Sequence, residues 1–248
     1  MFTIIFQIVA YFYLQNNSEL ITIIGDISFV IVALCAAISG LNAYKSLKKC
    51  DPEESKGWAI ATIAFGLFML GDIYWAYSEL ILKINTPLGS IADLFWTLAY
   101  FALIIATLKL QKAIFYYSKL QKYIFTILGL IIGGYVAYNS LSAYFNLTHN
   151  IGNLANDLYV TYDFIILGII LSIILPLLKT KQYVFLKSWI TIMLAILLRI
   201  FYDLLFAYLT ELNTYQTGNY IDILYASSYV IFALANYLKT KTCCATND

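Results

Sequence analysis

The chain reads as an all-α integral membrane protein, a bundle of seven transmembrane helices with the N-terminus outside and the C-terminus inside. Three observations carry this reading. Hydrophobic residues make up 62% of the chain and charged residues 12%, whereas soluble domains carry roughly 25% charge. Apolar runs of about 20 residues, enough to cross hydrocarbon, recur along the whole sequence. Cationic residues mark alternate junctions between those runs.

The cation pattern sets the orientation. Lys45, Lys48, Lys49 and Lys56 fall in one gap, and Lys109, Lys112, Lys119 and Lys122 in the next alternate gap. Lys179, Lys181 and Lys187 follow, and Lys239 and Lys241 close the last run. Only Lys83 and Arg199 lie elsewhere. Short lysine-rich loops stay on the cytoplasmic side, so the chain is expected in the cell membrane as a multi-pass protein.

Taken in order, residues 1–19 form an outer or interfacial segment. Phe2 to Leu14 is apolar but shorter than a span, and it lacks the basic start and cleavage site of a signal peptide. An extra short span is the rival reading, and it would move the N-terminus inside. The bundle fills residues 20–238, with spans near 20–44, 57–82, 91–110, 123–145, 157–178, 188–209 and 219–238. Residues 239–248 are a cytoplasmic tail. The inner loop Cys50-Asp-Pro-Glu-Glu-Ser55 has the chemistry of a turn that caps the second span. Asn85-Thr-Pro-Leu-Gly-Ser90 is an outer turn, with Ser90 as N-cap of the third. The loop from Asn146 to Asn156 is polar. Glycosylation sequons at Asn16 and Asn146 fall on the outer side. Gly129 and Gly133, four apart, allow a neighbouring helix to approach the fourth span closely. Among the cysteines, Cys35 reads as a small buried apolar residue. Cys50, Cys243 and Cys244 fall on the inner side, where thiols stay reduced.

An internal repeat organises the spans as three, one and three. Asp72-Ile-Tyr-Trp-Ala-Tyr77 in the second span parallels Asp203-Leu-Leu-Phe-Ala-Tyr208 in the sixth. Asp93-Leu-Phe-Trp96 with Tyr100 parallels Asp222-Ile-Leu-Tyr225 with Tyr229. Parallel repeats place binding sites at their interface.

The acids are the residues that carry chemistry. Of fourteen, only Asp51, Glu53, Glu54 and Asp248 lie on the inner side. A carboxylate at mid-membrane costs about 2.5–3.5 kcal/mol on insertion scales, so it faces a bundle interior or a wet cavity. Asp72, Trp75 and Glu79 share one helical face, and Asp203 and Phe206 offer a similar surface. Asp93, Trp96 and Asp222 lie one helix on. Together they predict an outward-facing pocket of carboxylates and rings for a small ligand or cation. Arg199 is the one intramembrane arginine, one turn from Asp203, and reads as an ion-pair partner or switch.

Several functions are disfavoured. A lone His149 in a loop cannot supply a zinc-hydrolase site. The last span has no central lysine for a retinal Schiff base. No cofactor is expected, no catalytic motif appears, and no basic aromatic surface suggests nucleic acid.

Gly71-Asp-Ile-Tyr-Trp-Ala-Tyr-Ser-Glu79, Pro87-Leu-Gly-Ser-Ile-Ala-Asp-Leu-Phe-Trp96 and Ala99-Tyr100 resemble the multi-span input modules of prokaryotic sensor proteins. Those modules precede histidine kinase, PAS or diguanylate cyclase domains. The resemblance covers about 45 residues, with Asp72, Trp75, Glu79, Ser90, Asp93 and Tyr100 on its pattern. It implies a sensor or receptor-like module. The short tail implies a stand-alone one, signalling to a separate protein at the cytoplasmic face. The alternatives are a small solute or cation transporter and a structural subunit of a membrane complex, with a membrane enzyme behind them.

Overall fold

Lipid dictates the secondary structure. Backbone groups in hydrocarbon have no water to bond, so each apolar run must satisfy its own. The computed structural model describes residues 2–14, 17–84, 89–113, 123–124, 126–135, 138, 151–179 and 183–245, and among these no strand occurs. The helices are α1 (Phe2–Tyr13), α2 (Ser18–Cys50), α3 (Pro52–Leu80), α4 (Ile91–Ala113), α5 (Thr126–Tyr135), α6 (Ile151–Lys179), α7 (Tyr183–Glu211) and α8 (Asp222–Ala245). Five of them, α2, α3, α4, α6 and α7, are long and apolar enough to cross a membrane. The molecule is therefore a helical bundle of membrane type. The other two expected spans stand differently. Residues 123–145 lie partly outside the described residues. Helix α8, at 24 residues, has the length, but Ser227, Ser228, Asn236 and Lys239 make it less apolar.

Helix starts follow local chemistry. The Asn17 side chain accepts from Leu20 N at 3.2 Å and opens α2. Asp51 accepts from Glu54 N at 2.9 Å and opens α3, with Pro52 in its first turn. Ser90 Oγ accepts from Ala92 N at 3.2 Å, while Asp93 Oδ2 accepts from Ser90 N at 2.8 Å. That reciprocal pair is a capping box and fixes the start of α4.

Large apolar side chains face outward, as they must where lipid is the solvent. Ile27, Ile31, Leu34 and Ile38 form an exposed stripe along α2, and Leu94, Leu98, Phe101 and Ile105 one along α4. The inner faces carry small residues instead: Ala33, Ala36 and Ala43 on α2, Ala61 and Ala64 on α3, Ala92, Ala99 and Ala106 on α4. Small residues let helix backbones approach without a hydrophobic force to drive them together. Cys35 lies on the exposed stripe of α2 as a free thiol, not in the core. The helical phase that buries Val32, Ala33 and Ala36 turns position 35 outward. Cys50 is disulfide-bonded, contrary to the reduced thiol expected on the inner side.

Six helices form a closed ring. Each packs on the next in the order α2, α3, α4, α6, α7, α8, and α8 returns to α2. Helix α1 lies against α2 and α8. Its 12 residues bury Gln7, Ala10 and Tyr11 and expose Ile5, Phe6, Val9 and Phe12. Helix α5 packs on α6 through its glycines: a Cβ on Gly129 would lie 2.8 Å from Gly168 Cα, and one on Gly133 2.9 Å from the Thr161 oxygen. The loop between α7 and α8 folds onto α2 at Gly218. There φ is +100° and a Cβ would sit 1.8 Å from Ile21 Cγ2, so only glycine fits.

Polar pairs tie the ring at the lysine-rich end. Lys239 Nζ of α8 lies 2.8 Å from Glu54 Oε1 of α3, and the Trp58 indole donates to the same oxygen at 3.2 Å. Asn236 Nδ2 donates to Ser39 Oγ at 2.8 Å, joining α8 to α2. Gln111 of α4 donates to Thr126 of α5 at 3.1 Å and also to Ser172 of α6. The Asn16 and Asn146 sequons, His149, Lys119, Lys122 and Lys181 lie outside the described residues.

Candidate functional site

Helices α3 and α7 stand across the ring from each other and send their acids toward its axis. On α3 the buried face runs through Phe65, Phe68, Asp72 and Trp75, each step three or four residues. On α7 it runs through Ile196, Arg199, Asp203 and Phe206. Helical spacing puts these groups on one face of each helix, and the closed ring brings both carboxylates and the arginine to one centre.

The two carboxylates are held by opposite helices. Asp72 Oδ1 accepts from the Tyr225 hydroxyl at 2.6 Å and the Trp96 indole at 3.1 Å, and Oδ2 accepts from Tyr229 at 3.4 Å. Asp203 Oδ2 accepts from the Tyr100 hydroxyl at 2.7 Å. Thus α8 and α4 both serve the acid of α3, and α4 also serves the acid of α7. Arg199 Nε donates to Tyr100 at 3.1 Å and stands 3.7 Å from Asp203 Oδ2. Its guanidinium carbon lies 4.1 Å from the Tyr225 ring centre, 4.9 Å from Phe68, 5.4 Å from Tyr229 and 5.7 Å from Tyr100. A cation walled by ring faces is stabilised by their quadrupoles.

A cavity of about 30 Å³ opens beside these groups. One water needs roughly 10–15 Å³ of such space, so the cavity has room for about two or three. Phe29 lines it from α2, Asp72 and Trp75 from α3, Trp96 and Tyr100 from α4, and Tyr159 from α6. Arg199, Tyr202, Asp203 and Phe206 line it from α7, Tyr215 from the following loop and Tyr225 from α8. All but Trp96 are buried. The site is thus lined from all six ring helices and sized for a few waters or a small ion.

The structure divides the sequence-derived candidates. Asp72, Trp75, Trp96, Asp203, Phe206 and Arg199 meet at the cavity. Asp93 and Asp222 do not line it, because their oxygens hold helix starts and loops. Asp93 completes the capping box and accepts from Tyr159 at 2.6 Å. Asp222 accepts from Gly218 N at 2.7 Å and Tyr215 at 3.0 Å. Burial, and then the Asp222 charge, push the Tyr215 phenol above its usual range, so it remains a donor. Glu79 is half-buried away from the lining and lies against Asp26. Asp26 is 1% exposed, and neither of its oxygens has a hydrogen-bond donor among the described residues. Asp163, outside the candidate set, lies beside Asp203. Tyr159, Tyr202 and Tyr215 also join the site; among 22 tyrosines nothing in the sequence singles them out. Among the described residues no group of three or more metal-ligating side chains is assembled.

No family model, no curated protein and no solved structure matches the chain.

Proposed function

We propose that the protein is a sensor-like membrane module in which a small cation at the central cavity biases the packing of the six ring helices. One observation carries this reading: the cavity is lined from every one of those helices and holds two carboxylates beside a single arginine. A ligand there touches each helix at once. It shifts their arrangement to the extent that it binds one packing better than another. The cavity volume favours a small ion over a larger organic cation. The resemblance of residues 71–100 to sensor input modules supports the same role.

In this reading the chain spans the cell membrane seven times, N-terminus outside, and the lysine-rich end reports the change to a separate signalling protein. The ring order and the crossed pairs Tyr100 to Asp203 and Tyr229 to Asp72 support two parallel three-helix units related by a pseudo-twofold. So do the ring contacts of Phe68 with Arg199 and Trp75 with Phe206, which join corresponding positions of the two units.

The test is a melting series of the purified protein in sodium, potassium and methylammonium salts and across pH, so that the proton is among the cations tried. A cation that binds the native state raises the midpoint with concentration. The rise is expected in wild type and absent in Asp72→Asn. Equal rises in both proteins would move the site elsewhere.

A second reading, a small cation transporter, draws on the same pseudo-twofold, since repeat interfaces near mid-membrane house transport sites. Cation flux into proteoliposomes that Asp72→Asn abolishes would favour it over the sensor.

A further inference from the structure

We infer that Asp163 and Asp203 hold a single exchangeable proton between them, so that the cation of the central site is a proton. The inference rests on reading the centre as a cation site. Asp163 is 0% exposed, and neither of its oxygens meets a hydrogen-bond donor among the described residues. Its carboxyl reaches that of Asp203 across the α6–α7 contact.

Among the described residues no neighbour donates a hydrogen bond to it. Tyr100 of α4 adjoins Asp163, but its one proton goes to Asp203 at 2.7 Å and its oxygen accepts from Arg199 at 3.1 Å. Arg199 of α7 is committed to Tyr100, to Asp203 at 3.7 Å and to its enclosing rings. On α6 itself Tyr159 donates to Asp93 at 2.6 Å. Helix α5 meets α6 through Gly129 and Gly133, which bring no titratable group. Asp72 of α3 has its own three donors.

Two ionised carboxylates in contact in a buried site repel strongly, and one arginine cannot neutralise both together with Asp72. A shared proton removes one charge and supplies the missing donor, with Asp163 donating to Asp203. A small metal ion would ask for about six oxygen ligands, and Asp163, Asp203 and Tyr100 do not provide them. Release of the proton would add a negative charge next to Arg199, where α4, α6, α7 and α8 converge. The pair is therefore positioned to convert protonation into a change in helix packing.

The experiment is infrared difference spectroscopy of purified protein across a buffer series at fixed ionic strength, with melting midpoints on the same samples. Wild type should show a protonated-carboxyl band that disappears reversibly as pH rises. In an Asp26→Asn background, which removes the contact between Asp26 and Glu79 as a second source, Asp163→Asn should lack it and Asp222→Asn should keep it. Wild-type stability should fall over the same pH interval, because there the native state binds one more proton than the unfolded chain. Asp163→Asn should show a smaller fall there. If Asp163→Asn does not fold, Asp203→Asn takes its place, since an amide at 203 gives Asp163 a donor and likewise removes the shared proton. A band that survives in both variants overturns the inference. No band in wild type, with a saturable sodium or potassium stabilisation lost in the variant, replaces the proton by an alkali ion and leaves the cation site standing. Neither band nor cation effect overturns both.

Discussion

Lys239 Nζ lies 2.8 Å from Glu54 Oε1, and the two side chains are only 2% and 5% exposed. This buried pair fastens the end of α8 to the start of α3 and closes the ring at its lysine-rich end. Lys239 and Glu54 enter the sequence reading only as markers of sidedness, yet they form a structural bond. Removing one partner leaves a buried charge, which costs about 3–5 kcal/mol, whereas replacing both with apolar residues is often neutral. Lys239→Met should therefore lower the melting midpoint sharply, and Lys239→Met with Glu54→Leu should recover most of it. A double variant as unstable as the single one would show that packing, not charge, holds this end.

Asp72 is the acceptor for three donors from two helices. Asp72→Leu leaves the Trp96 indole without an acceptor, and Tyr225 and Tyr229, 3.1 Å apart, can satisfy only part of their need by bonding each other. A buried donor left without an acceptor costs roughly 1–3 kcal/mol. Asp72→Asn retains an oxygen and should melt clearly above Asp72→Leu. Comparable midpoints for the two would mean that these hydrogen bonds contribute little.

Gly71 sets the position of Trp96. A Cβ there would fall 2.3 Å from Trp96 Nε1 and 2.4 Å from Cδ1. Gly71→Ala must push the indole away from Asp72, and overpacking of this kind costs about 1–3 kcal/mol. At Gly66 on the same helix a Cβ meets nothing within 4 Å. There alanine should be neutral or stabilising, since glycine is roughly 0.8–1.0 kcal/mol worse inside a helix. Melting midpoints of the two alanine variants against wild type decide the matter.

Arg199 offsets Asp203 and fills the space between four rings. Arg199→Met should cost about 3–5 kcal/mol through the acid it leaves behind, and Asp203→Asn in the same chain should restore much of that. Arg199→Lys should not substitute well, because a compact ammonium lacks the planar face that stacks on Phe68 and Tyr225. A double-mutant cycle on thermal unfolding reads the coupling directly.

Much of the architecture was legible because lipid imposes simple rules. Apolar length marks the long helices, and Ser90 marks the start of α4. Asp72, Arg199 and Asp203 were legible as a centre because a charge in an apolar run has few places to go. Asp93 and Asp222 look the same in sequence, since acids near helix starts serve either the backbone or a cavity and spacing does not separate the two. Asp163 lay in an apolar run like the others, but its closeness to Asp203 depends on how α6 rotates against α7.

The sequence by itself therefore determined the solvent, the helices and the chemical character of the interior, because burial cost and backbone satisfaction act on each segment locally. Only the tertiary structure decided which tyrosine serves which acid, that Lys239 meets Glu54, and that Asp163 is left facing Asp203. Those contacts join residues about a hundred or more positions apart in most cases, or depend on helix rotation, and they arise only when the ring closes.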